Sequence, residues 1–421
     1  MKKYDTYKHS GIEWIGEIPM HWGVKRFGYI FTFSRGLGIT KQDLHDEGIP
    51  CVNYGEIHSK YGVIINPEIH KLKCVEEQYL QSDAKSLLRR GDFVFADTSE
   101  DIKGSGNFTC LDSDTLTFAG YHTVVASHSN VNSYKYLAYY FDSLGYRSQI
   151  RSCVSGIKVF SITQAILKYS IVILPSISEQ TAIANYLDRK TAEIDSLIAN
   201  KKRLLELYEE EKTAIINQAV TKGINPDAPM KDSGVDWLDV IPEHWEVKRL
   251  KYVSFLRSGQ NIVSEQIKEI AEYPVFGGNG LRGYYSEYTH DGNFILIGRQ
   301  GAYCGNIKYG NGKFWASEHA VVVTPLIVYE TIYLGELLRS MNLNQYSISA
   351  AQPGLAVDTI KNITIPLPPL AEQQSIVHHI ETKCGKIEAK INKTERLILL
   401  LTEYRTALIS EVVTGKIKVI D

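Results

Sequence analysis

The hexapeptide Gly278-Asn-Gly-Leu-Arg-Gly283 has the form G-x-G-x-x-G. That pattern cradles a dinucleotide pyrophosphate only when it joins a buried strand to a helix, with an acidic residue about 20 positions on. Here Tyr284, Tyr285, Ser286 and Glu287 follow, neither a helix start nor an apolar face, so dinucleotide chemistry is set aside. Two readings remain: a hairpin turn, or a loop whose glycines let the backbone approach a partner closely, with Asn279 and Arg282 able to bond it. Arg299, Gln300 and Tyr303 follow the apolar run FILIG, and Lys308, Tyr309 and Lys313 lie beyond. They place polar, cationic and aromatic groups where a strand ends and the chain turns outward.

Other reactive side chains lack companions. His21 and His244 recur beside Trp22 and Trp245, but no second His or Cys repeats with them, and a metal centre needs several convergent ligands; they read as packing groups. Six scattered cysteines form no C-x-x-C pair, which argues for reduced thiols over a zinc cluster or disulfide framework. The chain has no G-x-x-x-x-G-K-S/T phosphate loop and no Asn/Asp-Pro-Pro-Tyr/Phe segment for holding a flipped base. It is expected to be non-catalytic.

The elements that must position these groups announce themselves by duplication. SGIEWIGEIPMHWGVKRF at Ser10 to Phe27 returns as SGVDWLDVIPEHWEVKRL at Ser233 to Leu250, ten of 18 positions identical, and holds four of the five tryptophans. A second pair begins LPSISEQTAIANYL at Leu174 and LPPLAEQQSIVHHI at Leu367, and keeps Glu179/Glu372, Gln180/Gln373, Ile183/Ile376 and Val220/Val413 in step. Repeats of this length signal duplicated architecture. The step from Trp14 to Trp237 is longer than the step from Glu179 to Glu372, so the text between the frames is shorter in the second copy. Inside it similarity nearly vanishes, which implies one scaffold carrying two divergent inserts, roughly 28 to 172 and 251 to 365.

From Ser178 to about Val220 apolar residues recur at three-four spacing with no Pro or Gly inside, and the second copy repeats the stripe from Ile376 to Val412, broken only by Gly385. Two amphipathic helices are predicted, punctuated by Pro175 and Pro368-Pro369, with Ser178 as N-cap of the first. About 40 residues at 1.5 Å each make rods of about 60 Å; matching stripes are expected to pair as a coiled coil. Residues 224 to 234, INPDAPMKDSG, read as a linker. The inserts read as mixed α/β, with strands at VVAS, NFILIG and AVVVTP and helices near Tyr134 to Ser143 and Ile332 to Met341.

The predicted fold class is therefore α/β (α+β) with an internal pseudo-twofold duplication: residues 1–173 and 233–366 as two mixed domains, 174–222 and 367–421 as long antiparallel helices, and 223–232 as linker. Length 421, 44% apolar and 22% charged residues suit a globular chain of two to three domains. Net charge is −2, so any nucleic-acid surface must be local. No apolar run approaches the ~20 residues of a membrane helix, and the start MKKYDTYKHSG lacks a signal-peptide block; a cytoplasmic location is expected.

The paired Trp/Ile-Pro/His-Trp/Val-Lys-Arg openings, the paired Leu-Pro/Glu-Gln helix starts and the insert text YPVFGGNGLRGYYSEYTHDGNFILIGRQGAYCGNI at Tyr273 to Ile307 together resemble the specificity subunit of Type I restriction-modification systems, over nearly the whole length. The resemblance implies that each insert is a target recognition domain reading one half of a bipartite double-stranded DNA target. It implies that the helices form an antiparallel coiled coil that spaces the domains and docks two modification subunits. S-adenosylmethionine, ATP and magnesium would then sit on partner modification and restriction subunits, with no cofactor in this chain.

Under that resemblance the candidate DNA contacts are Arg35, Asn53, Tyr54, Lys103, Tyr121, His122 and Lys158 in the first insert. In the second they are Arg257, Asn279, Arg282, Arg299, Gln300, Tyr303 and Lys308. Asn suits adenine and Arg suits guanine in the major groove. Arg35-Gly36 and Arg257-Ser258-Gly259 sit almost level in the two copies, which suggests a shared phosphate contact. Two other classes are kept open: a stand-alone DNA-binding regulator and a coiled-coil interaction scaffold.

Overall fold

The computed structural model describes residues 2–128, 133–156, 159–301, 303–347 and 354–420, excepting the side chains of Ser59 and Lys60. Two compact units divide the chain: residues 1–201 with 397–421, and residues 202–396. Each unit thus takes one insert, the first part of the helix that follows it and the last part of the other long helix.

In the first unit one sheet runs Phe31–Arg35, Thr123–His128, Phe93–Ala96, Phe108–Leu111, Ile64–Ile65 in spatial order; the first four strands are antiparallel and the fifth is parallel to its neighbour. The other sheet runs Lys73–Val75, Ile49–Val52, Thr117–Ala119, Leu87–Leu88, with only the central pair parallel. The second unit repeats both orders. Ser254–Ser258, Ala320–Pro325, Phe294–Gly298 and Ile307–Gly310 make an antiparallel sheet, and Gly280–Tyr285, Tyr273–Gly277, Lys313–Ala316 and His290–Asp291 another with a parallel central pair. Two inserts with almost no shared sequence therefore have one topology. Most of the length difference lies in one connection, which occupies 53–86 between Val52 and Leu87 but only 278–289 between Gly277 and His290.

Alternating and continuous apolar runs account for these strands, since Phe93–Ala96 and Phe108–Leu111 are buried on both faces. Behind them lie the helices Tyr134–Asp142 and Leu144–Cys153 in the first unit and Thr331–Ser340 in the second. The first core is aromatic, with the rings of Phe27, Phe31, Phe93, Phe95, Phe108 and Phe141 mutually edge-on or tilted. The second is built from Ile, Leu and Val around Trp245 and Tyr333.

The long helices run Ile177–Lys222 and Leu370–Val413, the second passing straight through Gly385. The first is capped by Ser176, not Ser178. The Ser176 hydroxyl accepts the Glu179 N–H (3.3 Å), while the Ser176 N–H and hydroxyl donate to the Glu179 carboxylate (3.1 and 2.8 Å), a reciprocal capping box. Pro175 ends the preceding strand one residue earlier and so moves the cap forward.

Parts of the two helices pair antiparallel inside each unit. In the second unit the Lys390 ammonium lies over the Tyr208 ring (5.5 Å) and Lys212 pairs with Glu388 (2.8 Å); in the first, Arg405 bonds Asp195 twice (2.8 and 3.2 Å). The predicted stripe is buried at Ile183, Leu187, Ile194, Ile376, Ile380, Ile387, Ile391, Leu408 and Val412. Of its positions Leu197 and Leu397 are exposed.

The duplicated frames join these parts. Trp22 and Trp245 are fully buried, each removing about 200 Å² of apolar surface, about 5 kcal/mol of transfer free energy. The Tyr136 hydroxyl donates to the carbonyls of Ile173 (2.9 Å) and Val413 (3.3 Å); Tyr333 does the same to Pro366 (3.2 Å) and Val220 (3.3 Å). Each insert is thus closed by the far end of the other copy's helix. Gln180 and Gln373 act alike: each accepts the backbone N–H that precedes the insert helix, from Ser133 (3.0 Å) and Glu330 (2.9 Å), and donates to the carbonyl of Pro175 or Pro368.

Candidate nucleic-acid interface

In the second insert, strand Phe294–Gly298 delivers Arg299 and Gln300 to its open end. The loop is pinned at its base: the Gly298 N–H donates to Asn306 O (2.9 Å), the Gly305 N–H to Gly298 O (2.8 Å) and the Arg299 N–H to His319 O (2.9 Å). Gly278 to Gly283 forms a hairpin between the antiparallel strands Tyr273–Gly277 and Gly280–Tyr285, which removes the strand-to-helix context a dinucleotide site needs. Gly280, at φ +106°, makes the reversal, a conformation open chiefly to glycine.

Asn279, Arg282 and Gln300 line one cleft of about 560 Å³, together with His319. The aliphatic stem of Arg282 lies across Gly277, and the Lys308 stem passes beside Gly280. Arg299 donates from Nη1 to Ser258 Oγ (3.1 Å). Tyr303, 58% exposed, stands on the loop, and Arg257 is exposed on its strand.

In the first insert Tyr54 and Lys103 line a cleft of about 500 Å³ with His58, Glu100, Asp101 and Asn107. His122, in the left-handed region at φ +54°, sets Nδ1 3.3 Å from Asp97 Oδ1 and its ring 5.8 Å from Tyr121 and 6.3 Å from Tyr54. Burial, then the carboxylates of Glu100 and Asp97, push the Tyr54 hydroxyl up, so it stays a hydrogen-bond donor. Asn53 is 1% exposed and its Nδ2 donates to the Cys51 carbonyl (3.2 Å); it props its own strand and faces no cleft. Lys158 lies outside the described residues, and Arg35 is exposed at the end of its strand.

The two arginines that look level in the text are not equivalent. Arg35 pairs with Val124 and Gly36 bonds Thr123 O; Ser258 pairs with Val321 and Gly259 bonds Ala320 O. Ser258 therefore stands at the Arg35 position and Arg257 one residue before it, on the opposite face of the strand. A shared phosphate contact for Arg35 and Arg257 does not hold in this register.

Sequence reasoning passed over His58 and Asn107, which line the first cleft, His319, which lines the second, Asp97, which faces His122, and Asn306, which bonds Asn279. Asp97 occupies the Arg299 position, since its N–H donates to His122 O (3.1 Å) as that of Arg299 does to His319 O. Signals existed at two further offsets: AGYHTVV at Ala119 matches ASEHAVV at Ala316 in four of seven positions, and Gly106-Asn107 recurs as Gly305-Asn306. Among the described residues no group of His, Cys, Asp and Glu is arranged to hold a metal ion, and no helix is long and apolar enough to cross a membrane.

The chain is thus a duplicated one whose two inserts share a topology but differ at their loop ends. Residues 242–397 match the Type I restriction modification DNA specificity domain. The chain is 41% identical over 154 residues to the Type I restriction enzyme EcoprrI specificity subunit of Escherichia coli, a match that spans 36% of this chain and only 38% of that one. Over 427 residues, 96% of each chain, it is 25% identical to the putative MjaX specificity subunit of Methanocaldococcus jannaschii. A solved structure described as the basis of complex assembly and conformational transition of the type I R-M system shares the fold, at TM-score 0.67 and 16% identity over 95% of this chain and 99% of that one.

Proposed function

We propose that this chain is the non-catalytic specificity subunit of a Type I restriction-modification complex, with residues 1–173 and 233–366 each reading one half of a split, asymmetric double-stranded DNA target. The observation that carries the reading is the pairing of one sheet topology with unlike side chains at an equivalent loop end, Asp97 against Arg299. Shared topology serves a common way of approaching DNA; unlike side chains serve different bases.

Near-copies of a docking surface follow from the near-copies of frame and helix, so two identical modification subunits bind one asymmetric chain. Those partners use S-adenosylmethionine to methylate adenine, and restriction subunits needing ATP and magnesium join for cleavage, in the cytoplasm. A net charge of −2 assigns much of the phosphate grip to the partners.

The test is to express the chain with its cognate modification subunit in an unmethylated host and map modified adenines. A split motif with two unlike halves is expected. An assembled complex that adds no methylation, with a chain that alone binds one DNA site tightly, overturns the reading in favour of a regulator.

A further inference from the structure

The turn Gly106-Asn107 recurs as Gly305-Asn306 with the same backbone. The glycines lie at φ +87° and +89°, the asparagine N–H groups donate three residues back to Gly104 O (3.0 Å) and Tyr303 O (3.1 Å), and the asparagine carbonyls accept the N–H of Ala96 (3.0 Å) and Gly298 (2.9 Å). Glycine is required twice over at Gly305, where a Cβ would press within 2.6 Å of the Asn344 nitrogen. Backbone hydrogen bonds alone make the turn, so they leave the asparagine side chain unexplained.

In both inserts that side chain reaches the connection after the equivalent strand of the other sheet. Asn306 Nδ2 donates to Asn279 Oδ1 (3.2 Å). Asn107 Nδ2 meets His58 Nδ1 (3.0 Å), and Arg147 Nη1 donates to Asn107 Oδ1 (2.7 Å), which fixes the amide with its N–H toward the imidazole. His58 Nε2 faces Thr98 O (3.0 Å); a carbonyl only accepts, so Nε2 carries the proton and Nδ1 is the acceptor. With both ring nitrogens engaged, His58 has nothing left for a base and instead supports the Tyr54 ring at 4.6 Å. Asn279, exposed, has its Oδ1 held and its Nδ2 presented to the cleft it shares with Arg282 and Gln300.

We propose that Asn107 and Asn306 are equivalent positioning residues that set what each insert offers to DNA: through Asn107 and His58 an aromatic face at Tyr54, and through Asn306 a hydrogen-bond donor at Asn279. This rests on the DNA-recognition reading. A donor at Asn279 matches an acceptor on the major-groove edge, such as purine N7 or guanine O6.

The experiment is methylation mapping of the full chain assembled with its modification subunit, comparing wild type with Asn306→Ala, Asn306→Asp, Asn279→Ala and the Asn306→Ala/Asn279→Ala pair. Asn306→Ala is expected to lower discrimination by on the order of tenfold at one base of the half-site read by the second insert, and to leave the other half unchanged. The double variant is expected to match Asn279→Ala. A carboxylate accepts only, so Asn306→Asp holds Asn279 by Nδ2, turns Oδ1 outward and shifts preference toward adenine N6 or cytosine N4. A uniform drop at every site with the motif intact, or failure of both Asn306 variants to assemble at the wild-type ratio, makes Asn306 a folding residue and overturns the proposal while the DNA-recognition reading stands. Absence of any split motif with the wild-type complex removes both.

Discussion

Glu179 shows how one side chain ties a frame together. It caps its helix with Ser176, accepts from Trp22 Nε1 (3.3 Å) and sits 2.9 Å from His21 Nε2. Glu372 meets His244 in the same way (2.6 Å), while Trp245 Nε1 is buried without a protein partner. Burial alone would raise the Glu179 carboxyl; hydrogen bonds from His21, Ser176 and Trp22 outweigh it and hold the group below its ordinary value of 4.5. A carboxyl depressed by folding contributes stability above its unfolded value and loses it as pH falls through the folded one. Melting curves from pH 7 down to 3 should therefore show a stability loss setting in below about pH 4.5 that Glu179→Gln flattens, at the cost of a lower Tm at pH 7. Gln373, 2% exposed, bridges two backbone groups. Its replacement by Ala should cost about 2–5 kcal/mol, since a donor and an acceptor are left buried and unpaired; a denaturant midpoint close to wild type would refute this.

At the scale of elements the helix ends carry the interlock. Gly415 closes the second helix at φ +72° against Pro19 and Trp22, where a Cβ would overlap the proline ring and stand 3.0 Å from the indole. Gly223 closes the first at φ +76° against Trp245, with its nearest neighbour at 3.3 Å. Left-handed backbone costs a non-glycine residue about 1–2 kcal/mol. Gly223→Ala should lose about that much, and Gly415→Ala about 3 kcal/mol or more because overlap adds to it; equal losses in thermal unfolding would contradict the packing. The Arg405–Asp195 pair, by contrast, lies at the surface, Asp195 exposed and Arg405 half-buried, and Arg405→Ala should cost about 1 kcal/mol or less. Strand register decides roles in the same way, since the one-residue shift between Arg35 and Arg257 sends them to opposite faces.

For the whole molecule the shared topology makes the inserts exchangeable. Replacing residues 251–365 by the insert of a Type I specificity subunit that keeps a tyrosine at the Tyr333 position should change one half of the methylated motif only, because Gln373 holds the insert by a backbone N–H and Tyr333 meets Val220 O as Tyr136 meets Val413 O in the first insert. A change in both halves would overturn the modular reading. Arg299→Ala and Gln300→Ala should relax recognition in that same half while assembly persists; equal weakening on unrelated DNA would mark both as phosphate contacts.

Duplication, long helices and mixed inserts were legible in the residues because frames and helices are local, periodic features whose apolar spacing and Trp, Pro and Gln identities survive in the text. The candidate cleft residues Asn279, Arg282 and Gln300 were legible for a related reason, as glycine and strand-end signals are local too. Hidden in the text were the common sheet order of the inserts, the mismatch of Arg35 with Arg257, the burial of Asn53 and the contacts of Asn107 with His58 and of Asn306 with Asn279. Each depends on pairing between strands far apart in sequence. The long connection from Val52 to Leu87 in one insert, against the short one from Gly277 to His290 in the other, shifts every downstream alignment while hydrogen-bond register keeps the structural positions fixed.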